Sequence, residues 1–489
     1  MKKRICLLFS ALFVLSVLCF LPACGKSESD IAENKPEAES PDEMPPQEAA
    51  EEAPVLPEIT EQDYEGYEFR FLTKNEDWAE WQSVDISAEE MNGENINDAV
   101  YMRNSVLEDK FNILIVEKKV NAPHDNAKKS VKAGEDSFDA VVSGMNNIVE
   151  VSQEGLLMDQ SNIPHMNLSN PWWDQKGVAE LELGGKVFCV TGDLFVTDKD
   201  ATWVMMFNKQ LAQDYQIEDP YSLVRSGQWT MDKFAAIIRD VSADLNGDGI
   251  MDENDFYGFS THEYSSWGFL YGAGIKIAEK DLSGYPALVM NAPTTQEVME
   301  KTVEIMTNGI YAYCKPVGDW AKALKVFEED RAIFYGEVLQ CAIRLRQMVS
   351  NFGLIPYPKY DAAQETYPCM VNDVATVLGV PVTTTETERT GTILEYMSYL
   401  SRIYLKPAYY EVALKGKFMR DEESGEMLDL IMRDRVFDLG YIFNWGGLAS
   451  NYCSSVMKKS ADFASMYEKY EARALEAVEK LVAAYESLE

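Results

Sequence analysis

Hydrophobic and polar positions alternate at the start of the folded part of the chain. Within 67–71 every second residue is aromatic, which is the period of a β-strand with one buried face. Residues 98–112 instead place apolar side chains three to four positions apart, as on one face of a helix. Short apolar runs at 113–116 and 138–142 predict two more strands. This order of elements predicts an α/β fold with a mostly parallel sheet.

Turn and helix signals continue along the chain. The glycine pair at 184–185 predicts a turn that leads into a strand at 187–190. Thr230 is placed to cap a helix whose apolar face runs through 234–241. The spacing of apolar residues across 467–488 predicts a helix at the C-terminal end.

The N-terminal region carries the pattern of an exported lipoprotein. A basic segment at 2–4 precedes an apolar run at 5–21, which is the order of a secretory signal peptide. The run is shorter than the ~20 residues that span a bilayer. Residues 21–24 resemble a lipobox, so we expect a signal peptide at 1–23 and lipidation of Cys24, for example by palmitate. The expected location is the extracellular face of a cell membrane, of the Gram-positive kind.

The next segment predicts a tether. Residues 24–57 are rich in Glu, Pro, Ala and Ser and hold few large apolar side chains. Such a segment cannot bury enough surface to offset its ordering entropy, so we expect disorder. The folded part is expected to begin near Glu58.

Composition narrows the set of partners. The 489 residues carry a formal net charge of −37, which becomes −40 without 1–23, because that segment has three basic residues and no acidic ones. So acidic a surface argues against nucleic acid and anionic lipid head groups as partners, and leaves the lipid anchor as the expected membrane link. Five cysteines remain beyond Cys24, and their wide spacing predicts buried free thiols. These are Cys189, Cys314, Cys341, Cys369 and Cys453.

The sharpest local motif lies at 244–255 and follows the EF-hand calcium loop. Oxygen-bearing side chains recur at alternate positions, and Gly249 permits the sharp turn that the loop needs. A strand is predicted directly after the loop, so we expect a structural Ca²⁺ site rather than a sensor; the alternative is an acidic solvated turn. An Asp stands at the last position, where EF-hands usually have Glu. The expected ligands are Asp244, Asn246, Asp248, Ile250 through its carbonyl, Asp252 and Asp255.

Blocks of sequence in a fixed order resemble the family 1 extracellular solute-binding proteins, the substrate-capturing lipoproteins of ABC importers, especially those for carbohydrates. The resemblance runs from about Tyr64 to the C-terminal end, behind the lipobox and the acidic tether. The blocks lie at 138–144, 154–159, 206–211, 227–230, 327–334 and 352–358.

The resemblance implies a two-lobed, periplasmic-binding-protein-like fold of type II. Each lobe would hold a mostly parallel sheet flanked by helices, with the ligand in a cleft between the lobes. By the family's connectivity we expect the chain to pass between lobes near 164–171, 360–368 and 404–407. Lobe 1 is then expected at 58–165 and 368–405, and lobe 2 at 166–367 and 406–489.

The resemblance also implies a function. We expect a monomer, not an enzyme, that captures a small solute and delivers it to the permease subunits of an ABC transporter. The family's default solute is a mono- or oligosaccharide.

Residues that suit a sugar can be chosen by type and position. Sugars present apolar C–H faces and hydroxyl groups, which aromatic rings and Asp or Asn side chains can bind. Trp78 and Trp445 rank first because their neighbours are polar or glycine-rich, whereas Trp229 fits packing at a helix start. Each tryptophan could instead belong to the core, and Asp373 could be a turn residue. The candidates are Asp77, Trp78, Trp81, Met145, Asn146, Trp172, Trp173, Trp267, Asp373 and Trp445.

A secreted glycan hydrolase or lyase is the main alternative, since it would use the same aromatics and a carboxylate pair. Only three histidines occur, at 124, 165 and 262, and neither H-E-x-x-H nor G-x-S-x-G is present. The lone G-x-G at 272–274 lacks the third glycine of a nucleotide loop. An adhesion or scaffold protein is a third class, and no tandem repeat supports it.

Overall fold

The computed structural model describes residues 56–57, 59, 62–75, 83–415 and 422–488. The expected signal peptide, Cys24 and nearly all of the tether lie outside these residues, as do Asp77, Trp78 and Trp81. Predictions for those residues therefore stay predictions. Among the described helices, none is both long and apolar enough to cross a membrane.

The first sheet has four strands in the order β12-β3-β1-β2. They are β1 (Tyr67–Lys74), β2 (Ile113–Val120), β3 (Ala140–Gly144) and β12 (Thr376–Gly379). β1 pairs in parallel with β2 and β3, whereas β12 joins β3 antiparallel. The predicted strand at 67–71 is confirmed, and Phe69 and Phe71 point into the core.

The second sheet has five strands in the order β10-β4-β9-β5-β8. They are β4 (Trp203–Asn208), β5 (Tyr257–His262), β8 (Ala312–Lys315), β9 (Ala332–Val338) and β10 (Phe352–Ile355). β5 is parallel to β8 and β9, but β4 is antiparallel to β9 and β10. Half of the pairings are thus antiparallel, and the start of β4 lies beside the end of β9.

Two short ladders complete the described strands. β6 (Ala278–Lys280) and β7 (Pro286–Leu288) form an antiparallel pair, and β11 (Cys369–Met370) pairs in parallel with β13 (Arg435–Val436).

Helices flank both sheets, which confirms the α/β class. They are α1 (Asn95–Phe111), α2 (Pro123–Lys132), α3 (Met145–Gln153), α4 (Gln175–Leu181), α5 (Thr197–Asp200), α6 (Lys209–Asp214), α7 (Pro220–Arg225), α8 (Met231–Arg239), α9 (Ser265–Gly272), α10 (Pro293–Thr307), α11 (Trp320–Glu328), α12 (Cys341–Arg344), α13 (Thr387–Lys415), α14 (Glu422–Arg433), α15 (Leu439–Ile442), α16 (Leu448–Met457) and α17 (Phe463–Glu486). Short 3-10 turns lie at Gln160–Asn162, Val317–Asp319, Leu345–Gln347 and Trp445–Gly447.

Several local predictions hold at the level of single residues. Thr230 caps α8, since its side-chain oxygen accepts a hydrogen bond from the Lys233 N–H at 3.2 Å. The turn at 184–185 has positive φ at both glycines. The predicted strand at 187–190 is instead a single bridge between Val190 and Leu378.

The first passage between the sheets lies later than 164–171. Trp172, Trp173 and Leu194 pack in the same core as Phe69 and Phe71 of β1. These three residues, which the sequence assigned to lobe 2, therefore pack against the first sheet, where their large apolar side chains are buried. The segment 196–202, which contains α5, leads into β4 of the second sheet.

The return passage runs beside the first one. Thr202 and Val371 form an antiparallel bridge, and the N–H of Asn372 donates to the carbonyl of Ala201 at 2.9 Å. The third expected passage, at 404–407, falls inside α13, whose Leu405 packs with Val196. Two short segments thus lie side by side between the sheets.

The five cysteines in the described region are free thiols, as predicted. Four are buried and Cys314 is half-buried. Burial raises the pKa of the Cys189 and Cys453 thiols to about 12, so both stay protonated at neutral pH.

Candidate functional site

A cavity of about 360 Å³ is lined by residues next to both sheets, and we call it the aromatic cavity. Most of its wall comes from the second sheet and its helices, and one loop comes from the first sheet. Its lining residues are Trp203, His262, Tyr264, Trp267, Val317, Trp320, Glu337, Val338, Gln340, Cys341, Arg344, Asn372, Asp373, Val374 and Tyr441.

Strand ends position the second-sheet wall. β5 ends at His262 and β9 ends just after Glu337, and these parallel strands end at the same edge. Ligand sites in α/β sheets lie outside the carboxyl ends of strands. Trp203 joins this edge because antiparallel β4 begins opposite Val338.

The first sheet supplies the loop 372–374. The N–H groups of Met145 and Asn146 donate to the carbonyls of Ala375 and Asp373, at 2.9 and 3.0 Å. These bonds fix the loop at the carboxyl end of β3. Gly144 allows the close approach, since a Cβ there would lie 3.0 Å from the side-chain oxygen of Asn146 and 3.3 Å from the Val374 carbonyl.

Aromatic rings form much of the wall. Tyr264 and Trp267 stack with centroids 4.5 Å apart and an interplanar angle of 24°. Tyr441 meets Trp267 edge to face at 4.9 Å. The Trp267 indole N–H donates to the Ala449 carbonyl at 3.0 Å, which fixes the ring plane. Such rigid, flat surfaces suit the apolar face of a ligand.

A cation lies against a further ring. The Arg344 guanidinium is 4.7 Å from the centroid of the half-buried Trp320 ring. Arg344 also donates from Nε to the Gln340 side chain at 3.3 Å. The cavity therefore combines stacking surfaces with hydrogen-bond donors.

His262 and Glu337 form a buried pair in the wall. The His262 Nε2 and the Glu337 carboxylate are 2.6 Å apart. His262 Nδ1 accepts a long hydrogen bond, 3.4 Å, from the Tyr264 N–H, so we assign the proton to Nε2, which donates to Glu337. The second Glu337 oxygen accepts the N–H of Val338 at 3.0 Å. These bonds hold the carboxylate in place.

Asp373 is a titratable carboxyl group of the cavity wall and lies in the loop 372–374. Burial raises the pKa of its carboxyl to about 6, and hydrogen bonds from Tyr441 and Asn146 partly oppose that rise. The Tyr441 hydroxyl donates to Asp373 at 3.4 Å. Asp373 is thus a charged acceptor at neutral pH that becomes a neutral donor below pH 6.

Trp203 places a buried indole N–H without a described hydrogen-bond partner in the cavity wall. Its side chain is buried, and its indole N–H has no hydrogen-bond partner among the described residues. An unpaired buried donor costs free energy, about 1–3 kcal/mol.

The structure brings two predicted ligand residues, Trp267 and Asp373, into this cavity, and Asn146 supports Asp373. It places Met145, Trp172, Trp173 and Trp445 in the core, away from the cavity. Trp173 donates from its indole nitrogen to Glu395 at 2.8 Å, and Trp172 packs edge to face on Tyr399. Trp445 stacks on Phe443.

Most lining residues were not predicted as site residues from the sequence, among them Trp203, His262, Glu337, Tyr264, Trp320, Arg344 and Tyr441. His262 and Glu337 were visible as polar residues at the ends of two apolar strands, which is the position where α/β sheets bind ligands. Trp203 could not be found in this way, since only the antiparallel entry of β4 brings it to that edge.

The predicted calcium loop has an ordered conformation. The Asp244 carboxylate accepts the N–H groups of Gly247 and Gly249 at 2.7 and 2.8 Å, and both glycines have positive φ. Asp255 is buried and accepts the N–H groups of Leu245 and Asp252 at 2.9 and 2.8 Å.

The remaining expected ligands also face the loop's own backbone. Side-chain oxygens of Asn246, Asp248 and Asp252 accept N–H groups two positions later, and Ile250 is exposed. Among the described residues no three His, Cys, Asp or Glu side chains converge as a metal site. Calcium binding at this loop stays a prediction.

No family model matches this sequence, and no curated protein matches it either. Solved structures do resemble its fold. The GacH receptor of Streptomyces glaucescens, studied unliganded and with acarbose, has a TM-score of 0.51 at 12% identity, covering 86% of this chain and 98% of that chain. An ABC substrate-binding protein from Listeria monocytogenes in complex with cycloalternan has a TM-score of 0.55 at 12% identity, covering 84% and 99%.

A third structure is similar in the same way. A cyclo/maltodextrin-binding protein complexed with maltotetraose has a TM-score of 0.56 at 14% identity, covering 84% of this chain and 96% of that chain. The chain therefore has the two-lobed, periplasmic-binding-protein-like α/β fold that the sequence predicted.

Proposed function

We propose that this protein is an extracellular solute-binding lipoprotein that binds a mono- or oligosaccharide in the aromatic cavity and delivers it to an ABC transporter permease. The observation that carries the proposal is the cavity itself, which joins both sheets and combines stacked aromatics with polar groups. The similar structures support it, since they are a receptor in complex with acarbose, an ABC substrate-binding protein in complex with cycloalternan and a cyclo/maltodextrin-binding protein in complex with maltotetraose.

The chemistry of the wall supports a sugar ligand. The Tyr264–Trp267 stack and Trp320 offer flat apolar faces, and Asp373 and Arg344 offer an acceptor and a donor for hydroxyl groups. The two passages at 196–202 and 371–375 lie next to the cavity, so bending there would move one wall against the other.

A thermal-shift screen tests this function. The full-length protein in detergent is heated with a panel of mono-, di- and oligosaccharides, and a bound sugar raises the melting temperature by mass action. Calorimetry with the best sugar then gives the affinity. If no panel member shifts melting or gives a heat of binding, the carbohydrate assignment fails.

A glycan hydrolase is the second candidate, because Glu337 and Asp373 both line the cavity and Asp373 has a raised pKa. The same sugar panel distinguishes a glycan hydrolase from a binding protein. Product release from any sugar, lost in Glu337→Gln, would favour the enzyme; binding without turnover favours the binding protein.

A structural Ca²⁺ at 244–255 is part of the proposal. The ordered loop and its two positive-φ glycines support it. Chelation is expected to lower the melting temperature of the protein, and Asp248→Ala to abolish that change. If the protein has the same melting temperature with and without chelator, the loop does not hold a structural Ca²⁺.

The lipid anchor at Cys24 rests on the sequence. Cys24→Ala should leave the precursor unprocessed or release the protein from the membrane fraction. A variant that fractionates and migrates like the parent would refute the lipobox.

A further inference from the structure

A second cavity, of about 260 Å³, lies beside the passages and shares no lining residue with the first. Trp172 and Trp173 in its wall belong to the core of the first sheet, while Met432 packs on a core of the second; Tyr410 packs on that core and also on the cluster that holds Ala99 and Val100 of α1. Lys199 of the passage helix α5 also lines it. We call it the basic cavity. Its walls therefore come from both sides of the passages.

Cations outnumber carboxylates in this wall, in a protein of net charge −37. The lining holds five cations and only the carboxylates Asp174 and Asp193. The cations are Lys176, Lys199, Lys406, Arg433 and Arg435. Just behind the wall lie the partner groups Asp198, Arg402, Asp429 and Asp434.

Three of these cations already have close partners. Arg435 is buried and pairs with Asp174 and with Asp198, the latter at 3.1 Å. Lys199 donates to Asp198 and to the carbonyls of Gly192 and Phe195. Arg433 pairs with Asp434 at 2.9 Å.

Two amino groups remain without a hydrogen bond among the described residues. Lys406 is half-buried and its Nζ is 3.8 Å from Asp193, which Arg402 binds more closely at 3.0 Å. Burial lowers the pKa of Lys406 and Asp193 opposes that change, so the ammonium group is partly desolvated. Lys176 is exposed at the rim. The buried Nε of Arg435 also lacks a partner among those residues.

We propose that the basic cavity is a second binding site, for a small multivalent anion such as a phosphate or a compact polycarboxylate, held between Lys176 and Lys406. An anion here would compensate the partly desolvated Lys406 through charge-assisted hydrogen bonds. Its occupancy would depend on the angle at the passages, because residues that pack on the cores of both sheets line it. The site does not depend on which solute the aromatic cavity takes.

Inorganic phosphate is the probe. The full-length protein in detergent is melted by intrinsic tryptophan fluorescence in up to 10 mM sodium phosphate and in sodium chloride of equal ionic strength. We expect phosphate to raise the melting temperature by roughly 1–2 °C more than chloride. Lys406→Gln should lose at least half of that rise, and Lys176→Gln should shift the titration several-fold to higher phosphate. Lys480→Gln, an exposed charge loss on α17, should behave like the parent.

Two results would overturn the site. One is a parent protein that melts identically in phosphate and chloride. The other is the same phosphate effect in all four proteins, which would mark a general salt effect or an adventitious ion only. If Lys406→Gln has a lower melting temperature than the parent without any anion, the test rests on Lys176→Gln. The Lys176 side chain is exposed, so its loss should not disturb folding.

Discussion

The aromatic cavity and the helical layer near the C-terminal end each contain a stacked aromatic pair. Tyr264 and Trp267 stack at 4.5 Å and 24°, and Phe443 and Trp445 stack at 5.4 Å and 9°. Trp267 is 7% exposed and Trp445 4% exposed, so burial hardly separates them. The difference lies in what surrounds each pair.

The Trp445 pair is closed in by packing. The turn at 445–447 lies so close to α17 that a Cβ on Gly446 would be 2.6 Å from the Ala474 nitrogen. The Trp267 pair instead lies beside polar groups at a strand edge, where Asp373 and the His262–Glu337 pair converge. A stacked pair therefore indicates a ligand surface only where its position opens to a cavity.

The largest expected effect is on stability. Trp445→Ala removes a fully packed ring, and a buried Trp→Ala change costs about 3–5 kcal/mol. Urea unfolding measures the free energy of unfolding, and calorimetry of the folded fraction should show unchanged sugar affinity. A variant with normal stability and tenfold weaker binding would break the comparison, because Trp445 would then contact the ligand.

Truncating a cavity ring should reverse that pattern. Trp320 is half-buried, so Trp320→Ala should weaken sugar binding about 10- to 100-fold, or about 1–3 kcal/mol, with little change in unfolding. Tyr215→Ala is the matched control, since Tyr215 also stacks, on Phe256, but outside the cavity. If Trp320→Ala and Tyr215→Ala lose sugar affinity equally, the aromatic cavity is not the sugar-binding site.

Asp373 gives the cavity wall a pH signature that the Trp445 pair lacks. Its folded pKa of about 6 exceeds the usual 3.8, so between these values the folded state binds more protons than the unfolded state. This carboxyl therefore destabilises the fold as pH rises through 6. Asp373→Asn should be more stable than the parent at pH 7.5, and this gain should shrink at pH 5. If the free energy of unfolding of the parent and of Asp373→Asn, measured with urea, changes in parallel with pH, the raised pKa of Asp373 is wrong.

The smallest expected effect comes from a single hydroxyl. Tyr441→Phe keeps the ring that meets Trp267 but removes the 3.4 Å hydrogen bond to Asp373. Because that bond lowers the Asp373 pKa, its loss should raise the pKa further, with sugar affinity falling less than tenfold at neutral pH. Carboxyl titration by NMR follows the pKa directly. A fall in pKa would contradict the assigned donor.

Predictions from periodicity and capping succeeded for several elements, although the strand predicted at 187–190 is a single bridge. The strand at 67–71, the helices at 98–112 and 467–488, and the Thr230 cap all form. Of the predicted ligand residues that the structure describes, Trp267 and Asp373 line the aromatic cavity. Trp445 was favoured because glycines follow it, yet those glycines serve a tight turn against α17. Asp373 and Trp267 were chosen by residue type, and type alone did not distinguish them from Trp172.

The sequence by itself determined the α/β class and several helices and strands, because periodicity, capping and turn residues act over short distances. The two-lobed expectation came from the resemblance to the family 1 solute-binding proteins. Only the tertiary structure decided where the chain passes between the sheets and which side chains share a cavity. Trp203, Glu337 and Asp373 are far apart in the chain and meet because β4 enters antiparallel beside β9 and the loop at 372–374 is bound to the end of β3. The direction in which β4 pairs with β9 depends on contacts between residues far apart in the chain, and no local sequence pattern encodes it.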